Sequence, residues 1–307
     1  MKIFYTQKRE KMYRAGKLPR LIRFRKLIHP IVINSARIES LLCGRKVTVV
    51  NDSRSTRKGT FVYACSHIDW DDIQMAFESM KAHAWLFWGN PEYRAMHYYV
   101  LLANGAVCVD LYSKTDRKIA KETAIKMLQK GESLLIFPEG AWNIMTNLPV
   151  MKLFPGAADI AISAGVGIVP IGISQNGSNE YYISFGEIIP TDNFSIDSRN
   201  ELTQLLRDHI ASEVWKTWEA QPQQRRQDFP PDAERSFYQF LESKMHGVYS
   251  IEDIENERYH DRLAISPKEA FYHLNNLIPC RDNAFLFNKR LFPARNSEEV
   301  PVWERQN

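Results

Sequence analysis

His67 is followed by Asp69, Asp71 and Asp72, placing one imidazole and three carboxylates inside six residues. A neutral imidazole can take a proton from an attacking hydroxyl or amine, and a carboxylate behind it fixes its tautomer and steadies the imidazolium. His67 and Asp72 form H-x-x-x-x-D, a spacing that works only under one condition. On an ideal helix five residues turn about 500°, leaving the two side chains about 140° apart. The pair therefore meets only if His67 lies in the turn ahead of a helix. Taken alone, a histidine near an acid is more often structural, because buried polar groups need partners.

The flanking pattern supplies such a turn. Residues 60–65 crowd β-branched and aromatic side chains and read as a buried strand. Ser66 ends it, and Ser66 with Asp69 has the Ser-x-x-acid form of a helix cap; Ile73, Met75, Ala76, Phe77 and Met80 continue as a helix. His67 is thus expected at a strand-to-helix junction, where backbone N–H groups are unpaired. Further strands are expected over 47–50, 84–88, 106–111, 133–137, 168–173 and 181–185. Helices are expected over 92–103, 117–130, 156–164 and 199–218. This alternation predicts an α/β fold, a mostly parallel sheet flanked by helices, with the site beyond the strand C-termini. Pro138-Glu139-Gly140 follows another such end.

At 307 residues, 44% apolar and 25% charged, the chain can bury one substantial core plus appendages. Three regions are expected: a basic amphipathic N-terminal segment (1–44), the chemistry-bearing domain (45–220), and a C-terminal extension without a recognisable motif (221–307). Met1 to Pro30 holds ten Lys or Arg against Glu10 alone. The whole chain is +4 and this segment +9, so the remainder is −5. Interleaved with Tyr13, Leu18, Leu21, Ile22, Phe24, Leu27 and Ile28 and stopping at Pro30, the segment suits a helix lying on an anionic membrane. A helix packed on the main domain with its charged face in water accounts for it equally. Nucleic acid is not expected as a partner, since no binding motif accompanies the charge. No apolar run is long enough to span a bilayer, and the amino end lacks a signal-peptide core, so a cytoplasmic location without a transmembrane helix is expected. Cys43, Cys65, Cys108 and Cys280 lack zinc spacing and read as buried free thiols.

Downstream blocks change the odds for His67. Gly105 to Asp110, Phe137-Pro138-Glu139-Gly140, Phe154-Pro155-Gly156-Ala157-Ala158 and Val169-Pro170-Ile171-Gly172 occur in order and at strand ends. With His67 and Asp72 this series, covering residues 45–218, resembles the glycerolipid and lysophospholipid acyltransferases. The resemblance implies His67 as general base and Asp72 as its orienting acid. It implies Glu139, Gly140, Gly156 and Pro170 in the acceptor-binding blocks, with Trp142 and Lys152 beside them. It implies transfer of a fatty acyl group from acyl-CoA or acyl carrier protein to a hydroxyl of a lipid acceptor at a membrane surface. No cofactor is needed, because a thioester is already activated and no enzyme nucleophile is required, which leaves Cys65 a core residue.

Three departures bear on the acceptor. Leu111, Trp142 and Phe154 stand where the family usually places phosphate-binding cations, which leucine and tryptophan cannot imitate. Lys114, Arg117 or Lys152 could substitute, or the acceptor could be a glycolipid or an amine. Trp70, Trp85, Phe87 and Trp88 could line an acyl tunnel or pack in the core. Two other classes stay open. His67-x-Asp69-x-Asp71-Asp72 loosely echoes the ligand runs of binuclear metallohydrolases, although His83, His97, His209, His246, His260 and His273 do not fall at later strand ends. A membrane adaptor that has lost catalysis is the third.

Overall fold

β2 (Phe61–Cys65), β4 (Ala106–Val109) and β5 (Ser133–Ile136) are buried at every position, as befits strands covered on both faces. They belong to a seven-stranded sheet with β1 (Lys46–Asp52), β3 (Ala84–Gly89), β6 (Gly167–Asn176) and β7 (Glu180–Phe185), in the order β1-β7-β6-β2-β5-β3-β4. The computed structural model describes residues 18–89, 100, 103–144, 148–177, 179–222 and scattered positions between 235 and 252. The helix expected over 92–103 lies largely outside the described residues, as do most of 1–44 before Leu18 and most of 221–307.

Strands β6, β2, β5, β3 and β4 run parallel. β7 returns antiparallel to β6, and β1 pairs parallel with β7. The expected mostly parallel sheet is therefore present, with a reversed pair at one edge. Alternation along the strands feeds two cores. On one face Val62, Ala64, Trp85, Leu134 and Ile168 meet α3 (Lys114–Leu128), α4 (Gly156–Ala164) and α5 (Arg199–Glu219). On the other, Tyr63, Cys65, Leu86, Trp88, Val169 and Phe185 meet α2 (Asp72–Met80) and Ile33 of α1 (Leu18–Leu42). The aromatic group Trp85, Phe87, Trp88 is split by this alternation. Trp85 and Phe87 face the first core and Trp88 the second, so these side chains do not form one tunnel wall.

Gly172 shows how α5 is seated. A Cβ there would lie 2.2 Å from the backbone nitrogen of Val214, so only glycine lets helix and strand backbones touch. Leu202, Leu206, Ile210 and Val214 bury the rest of that helix face. α3 begins three residues earlier than its apolar pattern indicates, because Ser113 accepts from the Asp116 amide and caps it.

α1 departs most from expectation. The sequence pattern places its end at Pro30, yet the helix runs through Pro30 to Leu42. Contacts on both sides outweigh the roughly 3 kcal/mol local cost of an interior proline. Ahead of it Arg25 donates to the Ala103 carbonyl and His29 bonds Asn104; beyond it Gln74 donates to the Ala36 carbonyl and Ser40, and Ser40 donates to Glu78. The helix packs on the domain, but its outer face is not purely charged: Phe24, Leu27, Ile31, Ile38, Leu41 and Leu42 are each more than half exposed. Cys65 and Cys108 are buried free thiols as expected, whereas Cys43 is exposed at the end of α1. Cys280 lies outside the described residues.

Candidate active site

β2 ends at Cys65 and α2 begins only at Asp72, so His67 occupies the turn between them, as the H-x-x-x-x-D pairing requires. The capping differs from the sequence expectation. Ser66 does not cap α2; its hydroxyl oxygen accepts from the Ile173 amide and so ties β2 to β6. Asp69 does the capping instead, with Oδ1 accepting from the amides of Asp71 and Asp72 at 2.9 and 3.1 Å. Both residues offer a short side-chain oxygen; Ser66 is still within reach of the sheet and is taken up there.

The turn folds His67 back onto Asp72. Nδ1 lies 2.7 Å from Asp72 Oδ2, and the same oxygen accepts from the amides of Ile68 at 2.7 Å and Asp69 at 3.2 Å. An ionised carboxylate only accepts, so Nδ1 carries the proton and Nε2 keeps its lone pair. That is the tautomer a general base needs. Asp72 is fully buried, whereas the His67 side chain retains 16% of its surface. Phe137 lies against the imidazole with ring centroids 4.4 Å apart, and Trp142 approaches edge-on at 6.3 Å. Trp142 is in turn edge-on to Trp70 at 6.5 Å.

The two remaining carboxylates of the cluster are held from afar. The Tyr181 hydroxyl contacts Asp69 Oδ2 at 3.0 Å and Asp71 Oδ2 at 3.2 Å, and Arg45 pairs with Asp71 at 3.3 Å. Burial and the two nearby carboxylates push the Tyr181 phenol far above its ordinary value, so it remains a donor. Among the described residues no three His, Cys, Asp or Glu side chains converge as a metal-binding group. Burial pushes the Cys65 thiol well up, reinforced by Asp72 and Glu139, so it is no thiolate nucleophile.

Glu139 does not stand open to a ligand. It is fully buried, with Oε1 accepting from the His67 amide at 2.9 Å and Oε2 from the Met151 amide at 2.8 Å. Gly140 has φ +74°, and a Cβ there would come within 2.5 Å of Phe154. Trp142 is the predicted acceptor-side residue brought nearest the imidazole in these contacts, while Lys152 is exposed. Gly156 opens α4 with open space where a side chain would start. Pro170 is buried within β6, in register with Ala64 of β2 and packed against Gly186. Leu111 packs against Gly89, and Arg117 donates to the Leu111 carbonyl.

Arg45 and Tyr181 were not legible as partners of the carboxylate cluster. They lie far from the motif in sequence, and an isolated arginine or tyrosine carries no spacing signal.

A sheet that sets an imidazole, backed by a buried carboxylate, at the end of a central strand is a scaffold for proton abstraction from a substrate. Residues 46–174 match the family model described as Acyltransferase. Over 126 residues it is 28% identical to the 1-acyl-sn-glycerol-3-phosphate acyltransferase of Borreliella burgdorferi, covering 38% of this chain and 50% of that protein. The chain thus spans about half the length of that curated relative. In fold it is similar to PlsC, the 1-acyl-sn-glycerophosphate (LPA) acyltransferase of Thermotoga maritima. That match has a TM-score of 0.50 over 72% of this chain and 89% of that one, at 16% identity.

Proposed function

We propose that the protein transfers a fatty acyl group from an acyl thioester, acyl-CoA or acyl carrier protein, to a hydroxyl of a glycerolipid-type acceptor. The His67–Asp72 contact carries the proposal. As the acceptor oxygen attacks the thioester carbonyl, Nε2 of His67 takes its proton and Asp72 balances the imidazolium. Collapse of the tetrahedral intermediate breaks the C–S bond, and the departing thiolate takes the proton from Nε2, restoring the base. General base catalysis of this kind contributes about 10²–10⁴-fold, and alignment of the two substrates supplies much of the remainder. The chemistry requires no cofactor. Glu139 acts by holding the His67 backbone, while Gly140, Trp142, Lys152 and Gly156 surround the acceptor side.

A second reading concerns the acceptor. Leu111, Trp142 and Phe154 are apolar at the positions where the family resemblance implies phosphate-binding cations, and this favours an acceptor without a phosphate, a glycolipid or an amine. The reaction takes place at a membrane surface on the cytoplasmic side. The exposed apolar row of α1 and the basic charge around it support that placement. Among the described residues no helix is long and apolar enough to cross a membrane.

Labelled acyl thioesters offered with lysophospholipid, glycolipid and amino-acid acceptors test this directly. His67→Ala and Asp72→Ala are each expected to reduce transfer by at least about 10²-fold with unchanged circular dichroism, and Asp72→Ala should also melt lower, because the Ile68 and Asp69 amides lose their acceptor. Transfer that persists in folded His67→Ala would remove the mechanism. Preference among acceptors decides between the phosphate and non-phosphate readings.

A further inference from the structure

We infer that Arg207, on α5 and beyond the residues matched by the family model, is a positioning residue for His67, acting through one peptide group and Glu139. The inference rests on His67 being the base. The Arg207 guanidinium donates from Nη2 to the Val150 carbonyl at 3.3 Å and from Nε to the Met151 carbonyl at 3.2 Å. The Val150 carbonyl and the Met151 N–H are the two ends of a single peptide group. That N–H donates to Glu139 Oε2 at 2.8 Å, and Glu139 Oε1 accepts from the His67 N–H at 2.9 Å. A cation and an anion thus grip opposite ends of one peptide, so each bond polarises the next.

The same segment holds His67 from its other side. Its carbonyl accepts from the Asn143 amide at 2.6 Å, and the Asn143 side chain donates to the Leu148 carbonyl at 2.8 Å. Both backbone groups of His67 are therefore bonded by residues following β5, and Arg207 ties that stretch to α5. α5 is a firm anchor, because Gly172 admits its backbone directly onto β6. Burial lowers the proton affinity of the Arg207 guanidinium, while Asp208 and Glu139 raise it in part. Arg207 also supplies positive charge to the loop in which Glu139 is buried. Losing it lets the 150–151 peptide turn, frees one Glu139 oxygen, and loosens the backbone that aims the imidazole.

The test uses the full chain with Arg207→Gln and Arg207→Lys, measuring transfer kinetics, amide hydrogen exchange at His67 and Met151, and the nitrogen resonances of the His67 ring. Arg207→Gln is expected to lower kcat by about 10–100-fold with the thioester KM within about twofold. The His67 and Met151 amides should exchange faster and the ring resonances shift. Arg207→Lys, which keeps the charge but cannot span both carbonyls, should recover part of each effect. If Arg207→Gln does not fold, Arg207→Lys is read in the same way. A folded variant with unchanged exchange and ring resonances overturns the inference, as does one with unchanged kcat. Exchange and resonances are read without substrate, so an inactive parent protein would overturn the acyl-transfer proposal while these signals still decide the role of Arg207.

Discussion

Gly140 holds φ +74° directly beneath Phe154. Any L side chain pays about 1–2 kcal/mol for that backbone conformation, and here its Cβ would also strike the phenyl ring. Gly140→Ala is therefore expected to destabilise the protein by more than the conformational cost alone, measured by urea unfolding. Gly140→Ala with Phe154→Ala should recover the steric part and leave the backbone part. An uncorrected loss in the double variant would show that the ring is not what the methyl meets. At this scale the His67–Asp72 contact was readable because the two residues lie five apart across one turn. The fate of Asp69 and Asp71 was not, since their partners Tyr181 and Arg45 reach them only through the sheet. Glu139 was recognisable as a motif position, yet its hydrogen bonds to two backbone amides carry no signature in side-chain spacing.

α1 is an element whose length the sequence misjudged, because Pro30 is a local breaker and the contacts that override it are distant. Those contacts make its docking sensitive to acid. Burial lowers the His29 proton affinity; the bond to Asn104 opposes this, and His83 and Arg37 add to it. Burial raises that of Glu132, but His83 and Lys26 outweigh it and the net shift is downward. The His29 ring lies 4.7 Å from that of His83, and His83 in turn faces Glu132 and the Asn104 carbonyl. Since folded His29 releases its proton more readily than an unfolded histidine, the unfolded chain binds more protons below about pH 6.5 and stability falls there. The Glu132 contribution is present above the ordinary carboxylate value and is lost as pH falls further, through its depressed folded value. Hydrogen exchange corrected for intrinsic rates should show the α1 amides loosening between pH 7.5 and 5.5 while β2 and β5 stay protected. His29→Gln should remove that first step. Equal protection of α1 at both pH values would refute it.

The whole molecule is electrically lopsided, with +9 in its first thirty residues against −5 elsewhere. Together with the outward apolar row of α1, this predicts binding to vesicles containing anionic lipid and much less to zwitterionic ones. Raising salt from about 0.1 to 1 M shortens the screening length from about 10 to 3 Å and should release the protein. Leu27→Asp with Ile31→Asp should weaken binding at every salt concentration; indifference to both lipid charge and salt would contradict the prediction. The α/β class and the strand order's parallel centre were legible at this scale, because buried strands and amphipathic helices alternate plainly from residue 45 onward. The reversed β7–β1 edge was not, since β1 and β7 pair across most of the domain. That pairing also orders events during synthesis. Lys46 meets Glu180, so at ribosomal speeds of about 5–20 residues per second β1 waits on the order of ten seconds for its neighbour. Lys46, Thr48, Asn51 and Asp52, set around three valines in KVTVVND, suit a strand that must stay in water that long without finding a wrong partner.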